Sequence, residues 1–208
     1  MRTEDRAETR PYLPGPPPGA GDRLRFLRGF LRRPLEVASV APSSRWLSRR
    51  VAAAAVGGES RTVAELGPGT GVVTRALLDA LPREARLLAL ELEPDFVRRL
   101  AEEEDPRLAV HCGSAEQLAD ALVAHRLGPV DAVVSGIPFS TLGPERARRV
   151  LDAVWSSLAP GGRFVAYQFR PHVARFATPR FGVPAVAFEA RNLPPMSVYR
   201  WDKPVRGS

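Results

Sequence analysis

Glu65-Leu66-Gly67-Pro68-Gly69-Thr70-Gly71 is the stretch that decides the fold. Thr62–Leu66 before it reads as a short apolar strand, and Val72–Leu81 after it reads as a helix. Glycines at such a junction let the backbone bend sharply and approach a ligand closely, while the helix N-terminus presents unpaired N–H groups. A dinucleotide fingerprint begun at Gly67 needs its third glycine at position 72, where the chain has Val72. The loop is tighter than one built around a pyrophosphate.

Downstream, apolar strand-like runs alternate with helical ones, which predicts βαβ units and a parallel sheet, an α/β fold. Strands are expected at Arg86–Glu91, Leu108–Cys112, Val130–Ser135 and Arg163–Gln168, and helices over Pro94–Glu104, Ala115–His125 and Pro144–Leu158. Ala185–Arg191 and Ser197–Trp201 read as two strands joined by the proline-bearing turn Asn192–Pro195. Glu91 ends a buried-looking strand 20 residues after Gly71, where a carboxylate can accept hydrogen bonds from both ribose hydroxyls of an adenosyl ligand. Leu92 follows it in the same loop. Gly113-Ser114-Ala115 closes the next strand, and Ser135-Gly136-Ile137-Pro138-Phe139 the one after.

Upstream, the character changes. Pro11–Gly21 holds five prolines and three glycines, so residues 1–22 read as a flexible tail without ladder or helix. From Arg23, the residues Leu24, Phe26, Leu27, Phe30 and Leu31 fall on one helical arc and Arg25, Arg28 and Arg32 on the other, until Pro34 stops the pattern. A second helix is expected from an N-cap at Ser43 or Ser44 to Val56, with Gly57-Gly58 as its stop. Of the net charge of +7 on 208 residues, Arg23–Arg50 alone carries eight arginines against Glu36. A polyanionic surface is the natural partner of that segment. The domain division is therefore a tail at 1–22, basic amphipathic helices at 23–58 that dock on a membrane or cap the site, and the α/β domain at 59–208.

Composition narrows the setting. At 44% hydrophobic and 25% charged the chain reads as globular. Its longest apolar run, Val51–Val56, is far short of the ~20 residues that span a bilayer. Acids and prolines in the first 30 residues argue against a signal peptide, so the cytoplasm is expected. The single cysteine, Cys112, excludes an internal disulfide and a Cys-based zinc site, and no metal is expected.

The E-x-G-x-G-x-G spacing resembles that of class I S-adenosylmethionine (SAM) methyltransferases, in which Gly113-Ser114-Ala115 stands where Gly-Asp-Ala is common. Asp131–Phe139 resembles the Asn-Leu-Pro-Tyr segment of amino-group methyltransferases, with Gly136 in place of the Asn. Together with Phe26–Pro34, Val40–Ser44, Pro160–Phe164, Asn192–Pro195 and Val198–Arg200, these motifs make Arg23–Trp201 similar to bacterial phospholipid N-methyltransferases, the soluble type that methylates phosphatidylethanolamine. The resemblance implies a Rossmann-like seven-stranded sheet with flanking helices, SAM as cofactor and S-adenosylhomocysteine as product. It also implies attachment to the inner face of the cell membrane through an N-terminal amphipathic helix, and stepwise conversion of phosphatidylethanolamine to phosphatidylcholine.

On this reading Glu65, Gly67, Gly69, Thr70, Gly71, Glu91, Leu92, Ser114, Ala115 and Ser135 bind the cofactor, with Glu116 or backbone replacing the missing adenine-site Asp. Tyr167, His172, Glu189 and Tyr199 are the candidates to take the amine proton. Phe139, Phe169 and Trp201, with Tyr167 and Tyr199, are expected to form an aromatic mouth whose ring faces attract an ammonium. Arg170, Arg180 and Arg191 are candidates for a lipid phosphate, and Arg25, Phe26, Arg28, Phe30, Arg32 and Arg33 for an anionic membrane surface. Two rival readings remain: an RNA adenine N6-dimethyltransferase, and a non-catalytic SAM-fold module that binds membrane. Gly136 argues against the first, since an Asn there would accept from a planar base amine; the intact Glu65, Gly67, Gly69, Gly71 and Glu91 argue against the second.

Overall fold

The computed structural model describes residues 43–205 and the backbone of Leu13–Pro14. The strands are β1 (Leu13–Pro14), β2 (Thr62–Leu66), β3 (Arg86–Glu91), β4 (Leu108–Cys112), β5 (Val130–Ser135), β6 (Leu158–Gln168), β7 (Ala185–Glu189) and β8 (Met196–Asp202). The helices are α1 (Arg45–Ala55), α2 (Val72–Ala80), α3 (Pro94–Ala101), α4 (Leu118–Ala124), α5 (Pro144–Ser157) and α6 (His172–Phe181). The strands form one sheet in the order β1-β4-β3-β2-β5-β6-β8-β7. All neighbours up to β6 run parallel, and β8 runs antiparallel to both β6 and β7. The seven longer strands are the class I methyltransferase sheet that the motifs imply.

Strands buried on both faces need helices on both faces. One layer joins Leu47, Val51 and Ala55 of α1 and Leu77 of α2 to Val63, Leu87, Val134 and Val165 of the sheet. The other joins Leu118, Leu151, Val154 and Val173 to Leu66, Leu88, Val133 and Phe164. The chain turns outward from β2 in two directions, to β3 and β4 on one side and to β5 and β6 on the other. The crevice beyond the carboxyl ends of β2 and β5 is therefore the switch point where ligands bind in open α/β sheets.

Four expectations change. Leu13–Pro14, inside the expected tail, pairs in parallel with His111 and Cys112. A sheet edge tolerates the missing N–H of proline. Residues 115–125 divide into a 3-10 turn at Ala115–Gln117 and α4, with Ser114 and Gln117 forming a capping box at the start. β6 begins at Leu158, its register against β5 shifting between Val130 and Ala132. The fourth is α6, which the sequence reading did not predict. Pro179 lies inside it, yet Val173, Ala177 and Phe181 recur every fourth residue and are buried. The expected helix at 23–33 lies outside the described residues.

Candidate active site

Glu65 is the penultimate residue of β2 and fully buried. The Thr74 hydroxyl donates to its Oε2 at 2.7 Å, whereas Oε1 is buried with no hydrogen-bond partner among the described residues. Burial, opposed by the Thr74 hydrogen bond and reinforced by the charge of Glu91, pushes the carboxyl up to about 8. An orphaned carboxyl oxygen in such a place needs a donor, and a cation satisfies it best. Thr74 escaped the sequence reading; its position in the first turn of α2, facing back to β2, is the signal that could have found it.

Glu91 ends β3 beside this loop, nearly buried. Its Oε2 accepts from Gly69 N at 2.9 Å, and its Oε1 accepts from the backbone N–H groups of Leu92 and Glu93 at 2.7 and 3.0 Å. Burial raises its pKa and the three N–H donors oppose that rise. The carboxylate thus ties the glycine loop to β3 while keeping a lone pair on Oε2 for a hydroxyl. Gly67, Gly69 and Gly71 sit at φ of 69°, 55° and 78°, a region that side chains rarely adopt. No side chain caps α2, so its first N–H groups stay available beside exposed Thr70.

Across the switch point, buried Ser135 accepts from Ile137 N through Oγ at 3.3 Å. Ser114 Oγ caps its own turn by accepting from Glu116 N, and half-buried Ala115 packs on the core. Glu116, the expected stand-in for the adenine-site Asp, is paired with Arg146 and Arg149 at 2.7 and 2.5 Å. At the end of β6 the Gln168 amide donates to Ile137 O at 2.7 Å, fixing the loop after β5. The Tyr167 hydroxyl lies so close to Gly136 that a Cβ there would stand 2.5 Å from it. Burial, then the negative charge of Glu65, raises the Tyr167 phenol, and Ser43 hydrogen-bonds to it.

Several expected site residues are elsewhere. Phe139 and Trp201 are almost completely buried and Tyr199 nearly so, all in the core layer under α5 and α6. Trp201 stacks on Phe164 at 5.2 Å and donates through its indole N–H to Gly182 O at 2.9 Å. The expected five-ring mouth does not form, because alternate residues of a two-sided strand enter opposite core layers. Glu189 is no proton acceptor either: Arg50 and Arg191 pair with it at 2.9 and 2.7 Å. The Arg191 guanidinium foremost, opposed by desolvation and helped by Arg50, holds the carboxyl at about 2. Arg180 pairs with Asp152 at 2.8 Å and lies over the Trp155 ring, away from the switch point. His172 opens α6, its Nδ1 buried without a partner among the described residues. Phe169 and Arg170 are exposed just beyond β6. Arg25, Phe26, Arg28, Phe30, Arg32 and Arg33 lie outside the described residues.

A methyltransferase-domain family model matches residues 63–162. The ornithine lipid N-methyltransferase of Singulisphaera acidiphila is 36% identical over 181 residues, 86% of this chain and 94% of that protein. A ribosomal RNA small subunit methyltransferase A from Laribacter hongkongensis is 39% identical over 83 residues, 39% of this chain and 30% of that one. The N-methyltransferase NodS of Bradyrhizobium japonicum WM9, in complex with S-adenosylhomocysteine, superposes with a TM-score of 0.59 at 16% identity, covering 77% of this chain and 84% of that one. The donor set fits the cofactor: an orphaned buried carboxyl for an ammonium, a strand-end carboxylate for hydroxyls and a glycine loop with open space at Gly69. The chain belongs to the class I SAM-dependent methyltransferases, in one family with that lipid N-methyltransferase.

Proposed function

We propose that the protein methylates the primary amine of a membrane lipid headgroup, taking phosphatidylethanolamine through its mono- and dimethyl forms toward phosphatidylcholine at the inner face of the cell membrane. The observation that carries this reading is the fit between Gly136 and Tyr167. Where a base-reading enzyme needs a planar amide beyond β5, this chain has bare backbone backed by a single phenol oxygen, which suits a flexible aliphatic amine. The lipid relative aligns over 86% of the chain, whereas the ribosomal RNA relative aligns over 39% of it.

SAM supplies an electrophilic methyl on a sulfonium, and the chain's own groups do the positioning. Glu65 Oε1 would hold the cofactor's ammonium, which would ionise a carboxyl otherwise held neutral, and Glu91 would hold the ribose. The headgroup amine reaches the reaction centre as the free base, since desolvation lowers an amine pKa and an ammonium has no lone pair. Tyr167 does not take that proton as a phenolate base, because burial and Glu65 keep the phenol protonated. Its oxygen accepts one amine N–H and aims the nitrogen lone pair. The segment around Arg25, Phe26, Arg28, Phe30, Arg32 and Arg33 contributes membrane attachment, about 1 kcal/mol per arginine at an anionic surface.

Radiolabelled methyl transfer tests the proposal. Label is expected in phosphatidylethanolamine vesicles, through to the trimethylated lipid. Label confined to ornithine lipid moves the substrate within the lipid class, and label in RNA with none in either lipid overturns the reading.

A further inference from the structure

The end of the molecule that carries the glycine loop also carries a rim of unusual composition. The β6–α6 connection leaves the sheet there after Gln168. The β7–β8 turn is at the same end, because β7 runs parallel to β6 and Glu189 pairs with Met196. The start of α1 is pinned beside that turn, with Ser44 N donating to Asn192 Oδ1 at 2.8 Å. Three segments, the first more than a hundred residues before the other two, thus line one edge of the site.

Residues 43–50, 168–171 and 189–196 hold five arginines, Arg45, Arg49, Arg50, Arg170 and Arg191, against one acid, Glu189. That acid is 2% exposed and saturated by Arg50 and Arg191. The Arg45 and Arg191 guanidiniums both lie over the Trp46 ring, 4.6 and 4.2 Å from its centroid. Glu189 offsets part of the Arg191 charge, and five arginines against that one acid still leave the rim strongly positive. On the same rim the β7–β8 turn projects Leu193, 86% exposed, and the β6–α6 connection projects Phe169, 47% exposed.

We propose that this rim is a docking surface for an anionic lipid bilayer, built into the folded domain and additional to the segment at 23–33. Guanidiniums meet lipid phosphates, the Trp46 indole sits at headgroup depth, and Leu193 enters the acyl boundary. An RNA backbone would satisfy the charge but has no use for an aliphatic tip, so the exposed leucine favours lipid. The orientation presents the open end of the sheet to the membrane, which deepens the lipid reading above and rests on it for the substrate alone.

The test is sedimentation of the full chain with phosphatidylglycerol-phosphatidylcholine vesicles, without SAM, comparing Leu193→Asp, Arg45→Glu and the double variant with Val123→Asp, a 76% exposed control. Each rim variant is expected to partition roughly tenfold more weakly, the control unchanged, and S-adenosylhomocysteine affinity unchanged in all. A double variant that partitions like the wild type, or a wild type that binds polyuridylate in preference to vesicles, overturns the proposal. Docking through the rim with no methylation of any lipid would refute the catalytic reading alone. Methylation of dispersed short-chain phosphatidylethanolamine, with vesicle binding indifferent to Leu193 and Arg45, would refute the rim alone.

Discussion

A Cβ on Gly136 would stand 2.5 Å from the Tyr167 hydroxyl and 2.8 Å from the Gly67 carbonyl oxygen. The absent side chain at 136 and the phenol at 167 are therefore two halves of one fit. Gly136→Ala must displace both the phenol and the glycine loop, an overpacking of about 1–3 kcal/mol. Both cofactor affinity and turnover should fall. Adding Tyr167→Phe removes the clash with the hydroxyl but not that with the Gly67 backbone, so calorimetric titration with S-adenosylhomocysteine should show partial recovery at best.

Tyr167→Phe alone keeps the ring and deletes the acceptor. A neutral dimethylated amine has no N–H left to donate, so the third methylation should be less affected than the first. Single-turnover rates on the amine, monomethyl and dimethyl lipids measure this. Equal slowing of all three would remove Tyr167 from the amine's contacts.

Glu91→Ala deletes the carboxylate proposed to hold the ribose and also releases Gly69, Leu92 and Glu93 N–H groups from it. Charged hydrogen bonds contribute roughly 1.5–3 kcal/mol, so affinity should fall more than tenfold, and titration with S-adenosylhomocysteine reads it. Glu91→Gln, which preserves an acceptor, should lose less.

Glu65 sets a pH dependence of definite sign. Its carboxyl binds a proton in the folded state up to about pH 8, against 4.5 ordinarily. Its contribution to stability is complete below pH 4.5 and declines as pH rises through that window, with a slope approaching about 1.4 kcal/mol per pH unit. Urea denaturation across the window should show the decline in the wild type and not in Glu65→Gln. Wild-type SAM binding should release a proton, detected by titration in buffers of different ionisation enthalpy.

Glu189→Gln tests a structural assignment. Its depressed pKa adds stability above pH 4.5 that is lost as pH falls toward 2. The variant should melt several degrees lower at neutral pH, losing its stability difference in acid, while turnover on dispersed short-chain substrate persists.

The glycine loop and the strands at Thr62–Leu66, Arg86–Glu91, Leu108–Cys112 and Val130–Ser135 were legible because local pattern and turn chemistry agree there. The placement of Glu65 and Glu91 at the glycine loop was legible because each lies at the end of a strand that feeds a turn. What stayed hidden depends on distance in sequence. Glu189 finds Arg50, 139 residues earlier. Strand β8 sends Val198 to one core layer and Tyr199 and Trp201 to the other, and with both faces buried no polar alternation separates a core aromatic from a binding one. Helix α6 was obscured by Pro179 and its arginines, although the spacing of Val173, Ala177 and Phe181 was there to be read.

The placement of β8 between β6 and β7 bears on how the protein is made. Every other strand precedes it in the sequence, so a nascent chain can assemble its parallel half while the edge of β6 facing away from β5 still lacks a neighbour. That edge is sealed only when residues 196–202 leave the ribosome, and until then β7 has no partner to pair with. An unpaired β6 is an aggregation hazard during synthesis, and a chaperone that shields strand edges should be found on stalled chains ending before residue 196 and absent from those that expose Asp202.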